Sequence, residues 1–398
     1  MSAPNSPTHK IDAKMTTETS QPNNHQPTGL FLRNVILKSL LLFILLNAAL
    51  GLIQPGGDVG RLSVYNVLIP GRVRLPFGEN PDQAYNLSLY DLEAMLASHE
   101  INAGPKPQNE FRIILIGDSA TWGTLLKPED TLSGKINAAK LATREGQQVH
   151  AYNLAYPTLS LTKDLMILEA ALRYDPDLVI WPVTLQSFPN KVQINTPLVA
   201  NNPQRAKPLM EQFDLGLEEH YSDFEETTFW DRTLIGRRRA LLDAIQLQFY
   251  GVLWAATGID QTYPADYTPA QRDFEAGADQ FQGWGPPNLP VNLIAPEVLK
   301  AGADLAGDVP VLVVNEPILV SQGQNSEVRY NHFYPRWAYD QYRLLMAERS
   351  VYASWKYVDL WDFVPPEAFT NSAVHLTPEG MAVYFNALLP TIQKICCQ

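Results

Sequence analysis

Cysteine is nearly absent from this chain. Of 398 residues only Cys396 and Cys397 are cysteines. Adjacent and close to the C-terminus, they build neither a disulfide framework nor a zinc site and read as tail residues, with lipidation or a reactive thiol as the alternatives. Paired histidines or acidic clusters at ligand spacing are also missing, so no metal is expected, and no cofactor is called for. Positive charge is scarce: 30 Lys and Arg stand against 42 Asp and Glu, a formal charge of -12. The first 38 residues are slightly basic, through Lys10, Lys14, Arg33 and Lys38 against Asp12 and Glu18, which leaves the remainder near -14. A field of that sign repels phosphate backbones, and the run Arg237 to Arg239 is too local to reverse it, which excludes nucleic acid as a partner. No internal repeat is visible, which excludes a solenoid.

What is present is globular composition, 45% hydrophobic and 18% charged, with 31 prolines that call for long connecting segments. Residues 1–28 hold few large apolar side chains and read as a disordered tail. Residues 29–54 reverse that character around Leu40 to Leu46. About twenty apolar residues cross a bilayer, so the span takes in Leu30 to Leu37, with Arg33 and Lys38 reaching towards headgroups. A cleaved signal peptide and an uncleaved signal anchor compete here. The long polar tail and the lack of a small-x-small cleavage site favour the anchor. Basic residues before the span place the tail in the cytoplasm and the rest outside, as a single-pass membrane protein. Residues 55–109 read as an irregular juxtamembrane segment packing on the core, with a helical stretch from Leu87 to His99.

From residue 110 a βα rhythm begins. Strands are expected at Phe111 to Ile116, His150 to Asn153, Leu178 to Val183, Val309 to Asn315 and Lys356 to Leu360. Helices are expected at Thr131 to Glu145, Leu161 to Tyr174, Trp337 to Arg349 and Pro378 to Ile395. Alternation of this kind builds a parallel sheet. Residues 187–305 break the rhythm and read as a cap insertion. Within it, Arg237 to Ala256 reads either as a helix on a membrane surface or as an amphipathic helix covering the active-site side of the sheet.

Two motifs carry chemistry. Ile113-Ile114-Leu115-Ile116-Gly117-Asp118-Ser119 is a buried strand ending on a tight turn that offers a hydroxyl, at the strand edge where ligands of open parallel sheets collect. Ser119 is then a nucleophile or, alternatively, a plain helix cap. Some 250 residues later, Val374-His375-Leu376-Thr377-Pro378-Glu379-Gly380 opens the last helix. A serine attacks a carbonyl only when a base takes its proton, and His375 arrives at the same rim to do so.

The Gly-Asp-Ser turn and the His-Leu-Thr-Pro-Glu-Gly segment resemble the SGNH or GDSL-type hydrolases over about residues 110 to 395, less the insertion. The resemblance implies a flavodoxin-like three-layer α/β/α fold with a five-stranded parallel sheet. It also implies esterase or acyl-transfer chemistry on an acylated small molecule, glycan or lipid. The family's acid precedes the histidine by three residues, where this chain has Ser372. Ser372, Asn371 and Asp362 are the candidates to orient the ring. By the same resemblance the oxyanion would be held by the N–H groups of Ser119 and Thr158, with Thr184 (or Gln186) in place of the family's third-block asparagine. Glu316, Arg329 and Asn331 follow the fourth strand as substrate-binding candidates. The departures keep a second function open: a catalytically inactive envelope protein that binds a glycan or an assembly partner.

Overall fold

The computed structural model describes residues 29–53, 71–77, 92–257, 266–271 and 279–397. The expected tail and most of the expected juxtamembrane segment lie outside these. The chain divides into two units at a boundary inside α1 (Gly29–Ile53), between Ala49 and Leu50. This helix is 25 residues long, with a mean hydropathy of 2.3 over 18 of them. At 1.5 Å per residue it extends about 37 Å, long and apolar enough to cross a hydrocarbon layer of about 30 Å.

The second unit is built on five parallel strands, β1 (Glu110–Leu115), β2 (Gln148–Asn153), β3 (Leu178–Val183), β4 (Val311–Asn315) and β5 (Lys356–Asp359). Their spatial order is β2-β1-β3-β4-β5, the flavodoxin-like order. The central strands β3 and β4 read as continuous apolar runs because both their faces are covered. Ile113 and Leu115 point into one core with Leu132 and Ile136 of α3 (Leu132–Ala138) and Met381, Tyr384 and Leu388 of α8 (Pro378–Cys396). Ile114 points the other way, and Ile116 just beyond the strand joins it. They meet Leu165 and Leu168 of α4 (Leu161–Ala171), Val298 and Leu299 of α6 (Glu297–Ala306), and Tyr339 and Tyr342 of α7 (Arg336–Ser350). The period of two thus sorts one strand's side chains between two cores. Beneath α6, the fully buried Trp181 indole donates to Asp164 Oδ2 at 3.0 Å. A Cβ on Gly302 would lie 2.4 Å from the Trp181 ring, so only glycine lets α6 approach β3 this closely.

Helices differ from the sequence expectation mainly at their ends. The stretch expected to be helical from Thr131 to Glu145 stops at Ala138, followed by Lys140 at a positive φ of 49°. The insertion after β3 includes a helix over Pro203–Gln212 and the longer α5 (Arg238–Thr257). Its final residues are core: α6 begins at Glu297 and packs on α4. Leu242, Ile245, Phe249 and Leu253 of α5 are each more than half exposed. Cys396 and Cys397 are bonded to each other, which closes no chain loop and adds no framework.

Candidate active site

The turn after β1 is shaped by two residues before Ser119. Gly117 has φ +146°, and a Cβ there would meet Thr121 Oγ1 at 2.8 Å, so the chain reverses only with glycine. Asp118 caps the four-residue helix α2 (Ser119–Trp122), its Oδ1 accepting the Ala120 N–H at 2.9 Å. Ser119 is therefore a first helical residue, its side chain half-buried at the strand edge and its N–H bonded to no group among the described residues. Asn153, at the end of β2, braces the turn: its amide donates to the Thr121 carbonyl at 2.9 Å and accepts the Ala155 N–H at 3.2 Å.

His375 comes from the loop before α8. That loop is pinned by Leu319, whose N–H donates to the Ala373 carbonyl, and by Thr370, whose N–H donates to the His375 carbonyl. Thr377 caps α8 through its hydroxyl, with Pro378 in the first helical position. The outcome is a 2.8 Å hydrogen bond between Ser119 Oγ and His375 Nε2. On the far side of the ring, Nδ1 lies 2.8 Å from Asn371 Oδ1. An amide oxygen only accepts, so this contact fixes the tautomer: Nδ1–H donates to Asn371, and Nε2 is left to accept the serine proton. Of the three candidates to orient the ring, Asn371 is the one bonded to it. Ser372 and the exposed Asp362 make no such bond among the described residues. Desolvation lowers the His375 pKa to about 4 with no carboxylate alongside to raise it, so the ring is neutral at pH 7.

Thr158, beyond β2, is buried, and its N–H donates to the Tyr156 carbonyl at 2.7 Å. The expected second oxyanion donor is thus engaged in a local turn. Thr184, at the end of β3, is fully buried beside the Tyr334 hydroxyl. Glu316 is buried at the end of β4 and turns its carboxyl to Asp118. One oxygen of each, Asp118 Oδ2 and Glu316 Oε1, finds no N–H or O–H donor among the described residues, which is satisfied when a proton sits between them. Burial raises the pKa of both carboxyls. Two facing buried carboxyls near the Lys163 ammonium titrate as a pair, which one shared proton satisfies.

The other two substrate-binding candidates are placed differently from the expectation. Arg329 is buried and donates to the carbonyls of Asn331 and His332, both at 2.7 Å. Asn331 is fully buried, donates to the Leu319 carbonyl and accepts the N–H groups of Phe333 and Tyr334. Both side chains bond to the backbone of their own loop. Sequence reasoning missed Lys163, whose one signal was a lysine directly before Asp164 in the first turn of α4. A separate cavity of about 300 Å³ is lined by Glu93, Ala97, Asn102, Arg173 and Tyr174 and shares no residue with this site.

No protein-family model matches the chain, and no curated protein matches it. Solved structures do. A protein described as a GDSL-like lipase from Bacteroides ovatus matches over 71% of this chain and 53% of its own, at 11% identity and a TM-score of 0.30. The chain spans about half the length of that protein. A carbohydrate acetylesterase family member from Sinorhizobium meliloti matches at 12% identity and a TM-score of 0.31, covering 72% of this chain and 98% of its own. A second carbohydrate acetylesterase of the same species gives 14% identity and 0.31, over 71% and 99%.

In chemical terms the site holds a hydroxyl against a neutral imidazole whose other nitrogen is oriented by a fixed acceptor. This is the arrangement that general-base activation of a nucleophile requires.

Proposed function

We propose that this chain is a membrane-anchored serine esterase or acyl-transfer enzyme, acting outside the cytoplasm on an ester of an exported or cell-envelope substrate, such as an acylated glycan or lipid. The observation that carries this reading is the Asn371–His375–Ser119 relay, two consecutive 2.8 Å contacts along one imidazole. Ser119 Oγ attacks the ester carbonyl as its proton passes to His375 Nε2. The tetrahedral oxyanion that results is held by the Ser119 N–H and, once released from Tyr156, the Thr158 N–H. The imidazolium returns its proton to the departing alkoxide, which leaves as the alcohol, and the acyl group stays on Ser119. Water, or a second hydroxyl in a transferase, then gives its proton to His375 and attacks the acyl-enzyme; the bond to Ser119 Oγ breaks, the imidazolium returns the proton to that oxygen, and the acid or new ester departs. The apolar helix α1 supports anchoring, and the basic residues before it support an extracytoplasmic site.

Incubating the full chain in detergent with a fluorophosphonate probe tests the reading. Covalent labelling of the wild type that is lost in Ser119→Ala and in His375→Ala is the expected result. A folded wild type that takes no label contradicts it. That outcome, together with capture of a glycan, would instead support a non-catalytic binding protein. The low pKa of His375 and the engaged Thr158 N–H are the features that favour this second reading.

A further inference from the structure

The fully buried ammonium of Lys163 touches both loops that would hold the oxyanion. Lys163 lies in the first turn of α4, its own N–H bonded to the Ser160 cap at 3.1 Å, and its side chain is completely covered. From there Nζ donates to the carbonyls of Gly117 at 2.6 Å, Tyr156 at 2.7 Å and Thr158 at 2.8 Å. An ammonium has three protons, and these bonds use all of them. With no proton to spare, no lone pair and no exposure, Lys163 does not reach a substrate. Asp164 supplies the countercharge at 2.8 Å.

The three carbonyls are not a random set. Gly117 is two residues before Ser119 in the nucleophile turn, whereas Tyr156 and Thr158 bracket the loop after β2. In the resting structure the Tyr156 carbonyl accepts two hydrogen bonds, one from Lys163 and one from the Thr158 N–H at 2.7 Å. For Thr158 to serve an oxyanion, its N–H must leave that carbonyl. Tyr156 is fully buried, so without Lys163 its carbonyl would lose both of these bonds at once. With Lys163 in place the oxygen keeps a charge-assisted bond, and the N–H only exchanges one acceptor for another.

We propose that Lys163 is a positioning residue of the oxyanion site. It locks the Gly117 turn against the Tyr156–Thr158 loop, and it holds the Tyr156 carbonyl when the Thr158 N–H turns to the developing negative charge. The proposal rests on the esterase reading above.

The test uses the full chain in detergent and two substrates, 4-nitrophenyl acetate and its thiono analogue, in which the carbonyl oxygen is replaced by sulfur. Sulfur is a weak hydrogen-bond acceptor, so the ratio of the two rates reports on the oxyanion donors. In Lys163→Met the kcat for the oxo-ester is expected to fall about tenfold or more, part of the hundredfold or larger loss that follows removal of an oxyanion donor. KM should stay nearly constant, and the thiono-ester should lose less, so that the oxo-to-thiono ratio drops. Equal losses on both esters, or no loss, would overturn the proposal while leaving the esterase intact. If Lys163→Met does not fold, Lys163→Arg, which keeps the charge but displaces the donors, is read on the same ratio. Failure of both variants to fold would overturn the proposal in favour of a lysine needed only for the core. A wild type inert to both esters and to the fluorophosphonate probe would remove the esterase reading and this role together.

Discussion

Asn371 Oδ1 accepts the Nδ1 proton of His375 at 2.8 Å, in the place where a carboxylate would hold the ring of a serine hydrolase. The Thr370 hydroxyl lies 3.3 Å from the same oxygen and steadies it. The amide supplies orientation and the correct tautomer but no charge to stabilise the imidazolium that forms as the serine attacks. Geometry is therefore kept while part of the driving force is given up.

Asn371→Asp should restore that charge. A carboxylate beside the ring favours its protonated form, so the His375 pKa rises from about 4. The neutral ring is the active form. The acidic limb of kcat/KM, expected near pH 4 in the wild type, should therefore move to higher pH, and the plateau rate should rise about tenfold, a fraction of the effect of the triad acid in serine proteases. Asn371→Ala should lower the rate without changing KM. A pH–rate profile unchanged in both variants would mean that Asn371 does not orient the base.

Glu316 and Asp118 make a prediction about protonation. If Glu316 is a neutral donor to Asp118, Glu316→Gln keeps a donor of nearly the same shape and should cost no more than about 1 kcal/mol in chemical denaturation. Glu316→Leu leaves the Asp118 carboxylate without that donor and should cost about 3 kcal/mol or more. Equal costs for the two substitutions would show that no proton is shared.

Gly302→Ala tests the packing of α6 on β3. A Cβ 2.4 Å from the Trp181 ring forces either the indole or the helix to shift, and overpacking of this kind costs about 1–3 kcal/mol. A lowered denaturation midpoint with an unchanged slope is expected. A neutral result would mean that the contact yields freely.

His99 provides a stability prediction with a definite sign. It is fully buried, its Nδ1 accepts the Ile101 N–H, and desolvation lowers its pKa from 6.5 to about 3. Between those values the unfolded chain binds the proton and the folded chain does not, so the contribution is complete above pH 6.5 and declines as pH falls towards 3. The slope is at most about 1.4 kcal/mol per pH unit. His99→Gln should be the less stable protein at pH 7, with the gap narrowing by pH 5. A constant gap in urea melts at the two values would contradict this.

The strands and the pair Ser119 and His375 could be read from the sequence because they rest on local signals: apolar runs of the right length, a Gly-Asp-Ser turn, a histidine before a Thr-Pro helix start. Features that depend on direction could not be read this way. Arg329 and Asn331 have the side chains of a substrate site, yet each turns inward onto its own loop, and nothing in residue type distinguishes the two. The engagement of the Thr158 N–H by Tyr156 is a backbone conformation, and side-chain identity does not encode it. Lys163 shows the same limit from the other side, since a lysine one turn into a helix usually lies at the surface. Its burial follows from three carbonyls that come together only after the sheet has formed. In α5 the apolar spacing was legible, but whether that stripe would be packed or left exposed was not.

The nucleophile and its base are 256 residues apart in the chain and 2.8 Å apart in space. A ribosome releases the Ser119 turn 256 residues before the His375 loop. Until that loop has emerged and docked, the growing chain has a hydroxyl without this proton acceptor. On the esterase reading proposed above, its reactivity is withheld over that whole stretch of synthesis.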